Sequence, residues 1–481
     1  MIGVAAQADI EDATRVVREQ MHPFANASGS SATYSTAGFI DVDNPFYQSL
    51  GTNGRSCASC HQQGEGWTVT PEGAQKRFRT SQGTNPIFRL NDGANSPAAD
   101  VSTTAAKLKA YSMLLSKGVI RVGIGIPDSG EFELIKADDP YGYASARELS
   151  LFRRPLPTTN LRFLSPVMWD ARETFKDPAS HDCLAGTTTC FATVHFDSAN
   201  QSNDATLCHA KATQPLSAAQ REAIVNFESG LFTAQVFDHA AGHLSALGAR
   251  GGPEYVAQQN FYFGMNDALA GDYRTHAAFI PMAFSLFDAW ANLPAERDDG
   301  YERVDARRAV ARGQALFDTK TIQITKVKGL NDDLQLPTIQ GTCTTCHDAP
   351  NAGNHSVPAP LDIGLTHSAR RTTDLPLYTL RNKLTGEPIE TTEPGRALLT
   401  GKWRNIGRFK GPVLRGLAAR APYLHNGSAK ELKDVVDFYN QRFGVGFSQS
   451  EQADLVGSYR SRRADQLRAG ALPERLAFRA R

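Results

Sequence analysis

The chain has 481 residues and a formal net charge of +1, from 51 Lys and Arg against 50 Asp and Glu. Hydrophobic residues make up 41% and charged residues 21%, which is ordinary for a globular protein and excludes a disordered or collagen-like chain. The balanced charge argues against a dedicated nucleic-acid-binding protein. No apolar run reaches the ~18–20 residues of a membrane helix. The length suits two or three domains.

Seven cysteines are too few for a disulfide scaffold, and their odd number leaves at least one without an intrachain disulfide partner. They are Cys57, Cys60, Cys183, Cys190, Cys208, Cys343 and Cys346. Four of them form two closely spaced pairs, and these pairs carry most of the functional information.

Each close pair belongs to a C-x-x-C-H motif, CASCH at residues 57–61 and CTTCH at residues 343–347. This motif is the attachment signature of c-type haem. Its spacing places two thiols on one side of a helical turn, where they can add to the porphyrin vinyl groups, and the adjacent histidine supplies an imidazole nitrogen to the iron. A zinc site or a thiol redox pair would leave both histidines unexplained. We therefore predict two covalent haems, with attachment and axial-ligand residues Cys57, Cys60, His61, Cys343, Cys346 and His347.

Covalent haem attachment takes place outside the cytoplasm, so we predict a periplasmic protein. Residues 1–10 lack the basic and apolar regions of a signal peptide, and we expect that the signal is absent from this sequence. In an oxidising compartment, Cys183 and Cys190 enclose a small polar loop that a disulfide can close. Cys208 is then left over and is predicted to be a small buried residue.

In chain order, residues 1–40 are polar and weakly patterned and are predicted to wrap the surface. Two alternating runs within residues 118–142, VIRVGIGIP and EFELIKA, predict a β-hairpin because a short Asp-Ser-Gly segment separates them. A helix is predicted over residues 216–235, with Ser217 and Gln220 as its capping box. Its apolar stripe consists of Ala223, Ile224, Phe227 and Leu231.

A polar and charged stretch at residues 292–301 is predicted to link two halves. In the second half, Ser428 and Glu431 are predicted to cap a helix whose apolar stripe is Leu432, Val435, Val436 and Tyr439. The predicted fold class is therefore mainly α, with two cytochrome c-like helical domains at residues 41–300 and 301–481. Each domain carries one covalent haem, and the first also carries the small β-hairpin insertion.

Four further segments lie between and after the motifs: RPLPTTNLRFLSPVMWDAR at 154–172, QSNDATLCHA at 201–210, FKGPVLRG at 409–416 and APYLHNGSAKELKDVVDFYN at 421–440. Together with the haem motifs, they resemble the di-haem bacterial cytochrome c peroxidase family, which includes MauG. The similarity spans most of residues 50–460. It implies that the first haem is peroxidatic, with an open distal side, and that the second is six-coordinate and relays electrons.

The family carries a tryptophan between its two haems, in a W-D-G-R segment. The corresponding segment here is WDAR at residues 169–172, so the resemblance implies that Trp169 is the bridge. Without the resemblance, Trp169 would be interpreted as a core residue. The resemblance also implies that Arg154 lies near the haem propionates.

Cleavage of peroxide needs an open iron and a group that moves a proton from the near oxygen to the leaving one. The family uses a distal glutamine and a glutamate further along. Gln201 matches the glutamine, but the register of the glutamate reads LCHAK, with no carboxylate. His209 is the candidate acid–base group, because an imidazole titrates near neutrality. Asp204 and Asp197 are alternatives, and a structural role for His209 stays open.

The second haem needs a sixth ligand, and none of the six methionines lies beyond position 282. The second domain therefore cannot supply a methionine ligand. Its candidates are His355, His425 and Tyr439. The FYN triplet resembles that of MauG, whose tyrosine ligates this haem, so the resemblance favours Tyr439 over His355, and His425 is interpreted as packing near a propionate. The alternative is that Tyr439 only packs on the buried face of its helix.

The resemblance also implies a calcium ion between the domains, held by two backbone carbonyls and an asparagine side chain. The carbonyl positions correspond to Lys410 and Pro412. The asparagine position is occupied by Pro155, which has no side-chain oxygen, and Asn160 is close in sequence but not aligned. The sequence therefore predicts a calcium site only in part.

The predicted function is that of a periplasmic di-haem peroxidase, an oxidoreductase that reduces hydrogen peroxide through high-valent haem iron. The second haem would relay electrons from a small periplasmic donor, either a cytochrome or a cupredoxin. One alternative is a MauG-like oxidase or oxygenase acting on a protein or organic substrate, which the missing glutamate favours. The other is a non-catalytic di-haem electron carrier.

Overall fold

The computed structural model describes residues 17–174, 193–294 and 300–459. Helical residues account for 31% and strand residues for 18%, and the strands are divided among several small sheets. The prediction of a mainly α fold is therefore wrong. Runs rich in β-branched and aromatic residues, such as LFTAQVFD at 231–238, favour extended backbone. Only a few segments show the apolar periodicity of an amphipathic helix.

The helices are short, apart from two. They are α1 Pro71–Ser81, α2 Thr104–Ala110, α3 Ser112–Lys117, α4 Thr193–Cys208, α5 Ala218–Ser229, α6 Pro253–Ala257, α7 Tyr301–Thr319, α8 Ala397–Thr400, α9 Leu432–Phe443 and α10 Gln449–Tyr459. Within the described ranges, no helix is both long enough and apolar enough to cross a membrane.

The strands are equally short. They are β1 Val17–Glu19, β2 Phe24–Asn26, β3 Gly29–Ser35, β4 Phe39–Asp41, β5 Ile120–Ile124, β6 Phe132–Asp138, β7 Leu149–Arg153, β8 Leu231–Asp238, β9 Gly242–His243, β10 Ile322–Thr325, β11 Thr338–Gly341, β12 Leu377–Asn382 and β13 Pro388–Thr391.

The largest sheet has the strand order β2-β3-β8-β9, and β3 lies inside it. Most residues of β3 are buried, and Thr33 shares a hydrogen bond of 2.9 Å with Thr233 of β8. The described part of residues 1–40 therefore does not simply wrap the surface, because it contributes a largely buried strand. Its small polar residues fit the sheet because their hydroxyl groups find partners on the neighbouring strand.

The predicted hairpin contains two real strands that do not pair with each other. Strand β5 pairs with β7, and β6 pairs with β12 in the sheet β13-β12-β6. The two strands pair with distant strands because this pairing buries their apolar side chains in a shared cluster, which a hairpin between them could not do. The buried cluster at this place includes Phe132, Leu149, Leu151, Tyr378 and Leu380.

The helix predicted over 216–235 begins as expected, because Ser217 and Gln220 form the capping box of α5. It ends at Ser229, however, and Leu231 is the first residue of β8 rather than part of the helical stripe. Gly230 ends the helix, and the β-branched and aromatic residues after it favour a strand.

The cap predicted for α9 is wrong by three residues. Its capping box is formed by Glu431 and Asp434, not by Ser428 and Glu431. The Asp434 carboxylate accepts hydrogen bonds from the backbone of Lys430 (2.7 Å) and Glu431 (3.1 Å), so it satisfies two amide groups at the helix start.

The two predicted domains share buried structure. Trp290 and Leu293 pack in one apolar cluster with Val304 and Val310 of α7, on either side of the predicted boundary at residue 300. Strand β6 of the first half also hydrogen-bonds to β12 of the second. The two C-x-x-C-H motifs therefore lie in halves that are held together by packing and by a sheet.

Candidate functional site

Both C-x-x-C-H motifs form the same tight turn. Ser56 and Ser59 form a capping box around the first, and Thr342 and Thr345 form one around the second. The backbone amide of the second cysteine donates to the carbonyl of the first in both turns, at 3.1 and 3.2 Å. This geometry presents both thiols and the following histidine on one side of the turn.

The motif histidines are oriented by backbone carbonyls. His61 Nδ1 donates to Trp67 O at 3.0 Å, and His347 Nδ1 donates to Gly353 O at 2.6 Å. Each ring therefore keeps Nε2 for a metal, in the manner of a metal-bound histidine with an outer partner. Burial lowers the pKa of His61 to about 4 and also lowers the pKa of His347, so both rings are neutral.

Each motif lines its own cavity, and these cavities fit a haem better than a zinc ion. Cys57, Cys60 and His61 border the first cavity, and Cys343, Cys346 and His347 border the second. The four thiols are free rather than joined as disulfides. In the part of the chain that the structure describes, no group of three or more His, Cys, Asp or Glu side chains is placed to hold a metal ion.

The first cavity brings together several residues predicted from the sequence. Gln201 from α4 and His209, directly after α4, line it with His61, and Trp169 and Arg154 also contribute. The two alternatives for the acid–base role do not line it. Asp204 is exposed, and Asp197 is completely buried within the protein.

His209 is held by a buried carboxylate. Its Nδ1 donates to Asp92, and the same carboxylate accepts a hydrogen bond from Arg55. Asp92 is 4% exposed and Arg55 is 2% exposed. His209 and Asp92 lie 117 positions apart in the sequence, so no local pattern indicates their contact.

Glu228 on α5 also lines the first cavity, and the sequence analysis missed it. Its side chain is 4% exposed, and burial raises its pKa to about 8, so the carboxyl group is protonated at neutral pH. A signal was available, because Glu228 follows Ile224 by four residues and so lies on the apolar stripe of the helix. An acidic residue in such a stripe indicates either a buried partner or a site.

The second cavity collects the candidates for a sixth ligand. Tyr439, His355 and His425 all line it together with His347. The apolar stripe of α9 also faces it, since Leu432, Val435 and Val436 are among its lining residues. Burial raises the pKa of Tyr439 strongly, so the hydroxyl keeps its proton unless a metal or another charge compensates.

The two candidate histidines of the second cavity, His355 and His425, differ in their partners. His355 Nδ1 is 3.1 Å from Asp348 Oδ2, and although burial would lower its pKa, this carboxylate reverses the effect and raises the pKa. His425 stacks on Phe409, with ring centroids 4.4 Å apart. Burial, with the charge of Arg153, lowers its pKa to about 3, so His425 is neutral.

Trp169 lines both cavities. Its indole Nε1 donates to Arg154 O at 2.8 Å, and its ring meets His425 edge-on at 6.3 Å between centroids. Arg154 also lines both cavities, and its guanidinium donates to the backbone carbonyls of Lys117 (3.2 Å), Gly118 (3.2 Å) and Arg420 (2.9 Å). The predicted bridge is therefore at the boundary between the cavities.

Comparisons with known proteins support the resemblance. No family model matches the chain. Cytochrome-c peroxidase IdrP1 from Pseudomonas sp. (strain SCT) is 30% identical over 213 residues, which are 41% of this chain and 48% of that protein. Cytochrome-c peroxidase IdrP2 from Denitromonas iodatirespirans is 30% identical over 135 residues, which are 26% of this chain and 37% of that protein.

The chain is similar to the cytochrome c peroxidases. The resemblance inferred from the motifs is thereby confirmed. The matches span about half or less of the length of each of these two relatives.

A solved structure of a MauG-like protein associated with microbial copper homeostasis covers 86% of both chains, at 14% identity and a TM-score of 0.33. A likeness of that degree supports no inference about function.

Of the residues considered for the predicted calcium site, the side chains of Asn160 and Lys410 have other partners. Asn160 uses both amide atoms on the backbone of Thr233, donating at 3.0 Å and accepting at 3.1 Å. Lys410 is 4% exposed, its Nζ donates to Pro166 O at 3.0 Å, and burial lowers its pKa to about 7. Lys410 and Pro412 line both cavities.

The remaining cysteines fall into two groups. Cys183 and Cys190, for which a disulfide is predicted, lie outside the described residues. Cys208 is exposed, so the prediction of a small buried residue is wrong. It is the last residue of α4, and the helix directs its neighbour His209, rather than Cys208 itself, to the first cavity.

The raised pKa of Glu228 predicts a specific pH dependence of stability. Between about pH 4.5, the ordinary value for Glu, and about pH 8, the folded protein keeps a proton that the unfolded chain loses. The free energy of unfolding should therefore fall as the pH rises through this window, by at most about 1.4 kcal/mol per pH unit. Glu228→Gln removes this contribution, so denaturant unfolding should show the variant gaining stability relative to the wild type from pH 5 to pH 8. The exposed Glu72→Gln is the control, and parallel profiles for both variants would contradict the assignment.

Proposed function

We propose that the protein is a di-haem peroxidase that reduces hydrogen peroxide at a c-type haem attached to Cys57 and Cys60. A second c-type haem, attached to Cys343 and Cys346, would relay the electrons. The observation that carries the proposal is the pair of identical C-x-x-C-H turns, each with an oriented histidine, on two cavities that share the side chain of Trp169. The reaction consumes one H2O2, two electrons and two protons and yields two waters.

When bound, the haems supply the redox chemistry of iron, and the protein residues supply ligands and proton transfer. His61 and His347 would hold the irons through Nε2. In the first cavity, His209 can accept a proton from the near oxygen of peroxide and return it to the leaving oxygen, while Gln201 can hydrogen-bond the bound molecule. Glu228, protonated by burial, is a second source of a proton in the same cavity.

Trp169 would connect the two haems. The indole N–H of Trp169 donates a hydrogen bond to a backbone carbonyl oxygen. This oxygen accepts the hydrogen bond but is not a base that takes up the proton, so the ring can lose an electron without losing its proton. Charge transfer through the ring is then free of the slower proton step. Its position on both cavities is the reason for assigning Trp169 to the bridge.

The remaining parts of the proposal concern the surroundings of the enzyme. We place it in the periplasm, where c-type haems are attached, and expect a small cytochrome or cupredoxin as the electron donor. With a net charge of +1, docking of the donor must depend on local patches of the surface.

The direct test is oxidation of a reduced small cytochrome or cupredoxin by H2O2 in the presence of the haem-loaded protein. The proposal expects oxidation of two donor equivalents per peroxide. A MauG-like oxidase or oxygenase is the second candidate, since the register of the distal glutamate, LCHAK at 207–211, contains no carboxylate. Oxygen uptake with a protein or organic substrate, without turnover of the simple donor, would favour it. If neither haem binds azide, the protein would instead be a non-catalytic electron carrier.

Tyr439→Phe tests the assignment of the sixth ligand of the second haem. An anionic oxygen ligand stabilises ferric iron, so we expect the variant to raise the reduction potential of this haem and to convert its ferric spectrum to a five-coordinate, high-spin form. Spectroelectrochemistry and electron paramagnetic resonance measure both changes. The control is Tyr423→Phe, because Tyr423 lines the same cavity but its hydroxyl donates to Leu417 O at 3.0 Å. Unchanged spectra in Tyr439→Phe would transfer the role to His355.

A further inference from the structure

Behind His209, a buried ion pair closes the wall of the first cavity. The Asp92 carboxylate accepts a hydrogen bond from His209 Nδ1 on one oxygen and one from Arg55 Nη1 on the other. Asp92 and Arg55 are almost completely inaccessible to solvent, whereas the His209 side chain is 35% exposed and borders the cavity. The pair therefore supports His209 from the interior of the protein.

Arg55 is itself fixed, so the carboxylate has little freedom to move. Its Nε donates to Pro86 O at 2.7 Å, and its Nη2 donates to Ile87 O at 2.6 Å. The backbone of Asp92 is also held, because its carbonyl accepts from the amide of Arg121 at 2.7 Å. Burial alone would raise the pKa of Asp92, but the hydrogen bond from His209 and the charge of Arg55 outweigh burial and lower it, so the carboxylate is ionised.

This arrangement fixes the tautomer of the imidazole. A carboxylate can only accept, so His209 carries its proton on Nδ1, and Nε2 has no hydrogen-bond partner among the described residues. Since Nδ1 points to Asp92, Nε2 is the nitrogen left for the cavity. A carboxylate that accepts from one ring nitrogen also fixes the orientation of the ring.

We propose that Asp92, supported by Arg55, is a positioning residue that holds His209 with an unprotonated Nε2 directed at the ligand-binding space of the first haem. The inference rests on the proposed haem in this cavity and deepens its chemistry. It does not require that peroxide is the substrate, because any ligand that must lose a proton on binding would use the same base.

Cyanide binding to the ferric, haem-loaded protein tests the inference without catalytic turnover. Near neutral pH cyanide is present as HCN, which must lose a proton to bind iron as the anion, so a base in the cavity accelerates binding. Stopped-flow measurement should show binding to His209→Gln and to Asp92→Asn slowed by about 10–100-fold, the range typical of outer-shell partners of a histidine. The double variant should be no slower than His209→Gln alone, because both changes disable one unit.

A matched control is present on α4, the helix that directly precedes His209. His195 of α4 pairs with Glu222, with a distance of 3.1 Å from Nε2 to Oε2, but both side chains are exposed and neither lines the cavity. His195→Gln and Glu222→Gln should therefore bind cyanide at the wild-type rate.

The outcomes separate the inference from the proposed function. Slow cyanide binding in Asp92→Asn, together with absent peroxide turnover in the wild-type protein, would support the inference and refute the peroxidase. A wild-type cyanide rate in Asp92→Asn or in His209→Gln would overturn the inference, even if peroxide turnover persists. A wild-type rate in the partly exposed His209→Gln would overturn the inference even if Asp92→Asn fails to load haem.

Discussion

Replacing His209 by glutamine is expected to slow the reaction of the haem-loaded protein with hydrogen peroxide by about 10²–10⁴-fold, the usual contribution of a general acid–base group. Glutamine can still hydrogen-bond a ligand in the cavity, but it cannot take a proton from one peroxide oxygen and pass it to the other. Stopped-flow absorption of the haem bands at stoichiometric peroxide measures the rate directly.

The control for this change is His195→Gln, on the exposed side of α4, which should react at the wild-type rate. Attachment of both haems should be verified by mass in each variant. A His209→Gln rate close to that of the wild type would remove His209 from the mechanism and leave Glu228 as the proton donor of the cavity.

Replacing Asp170 by asparagine is expected to lower the free energy of unfolding by about 1–3 kcal/mol, the cost of depriving a buried donor of its charged acceptor. Asp170 is 1% exposed and accepts hydrogen bonds from Arg153 Nη1 at 2.7 Å and from the Arg172 backbone at 3.2 Å. Without its charge, the buried Arg153 keeps Glu393 as its carboxylate partner, at 2.8 Å from Nε. Denaturant unfolding of the haem-loaded protein gives the difference.

The matched control is Asp138→Asn, since Asp138 pairs with Arg371 but has a side chain that is 52% exposed. An exposed pair of this kind contributes about 0–1 kcal/mol, so the control should be nearly neutral. Similar losses of unfolding free energy in the two variants would show that the buried Asp170–Arg153 pair stabilises the fold no more than the exposed pair does.

The parts of the site that the sequence predicted are those built within a few residues. The turns of CASCH and CTTCH close over five positions, and the structure forms both with the expected helical hydrogen bonds. The start of α5 was likewise predicted, since its capping box is formed by Ser217 and Gln220 alone. Local chemistry decides such features, so a single sequence contains them.

The parts that were missed depend on contacts between distant segments. Strands β5 and β6 were recognised as strands, but their partners β7 and β12 were decided by a buried cluster that includes Tyr378. The Asp92 partner of His209 comes from a different segment of the first half, and no local spacing indicates it. The mainly α fold class failed for the same reason, because the small sheets assemble strands that are far apart in the sequence.

The most direct test of the central claim, two haems of which one reacts with peroxide and the other shares its oxidising equivalents, is the optical and electron paramagnetic resonance spectrum of the resting ferric protein before and after one equivalent of H2O2. We expect a high-spin component from the first haem at rest, and loss of the ferric signals of both haems after the addition. Ferric signals that are unchanged by stoichiometric peroxide would contradict the account.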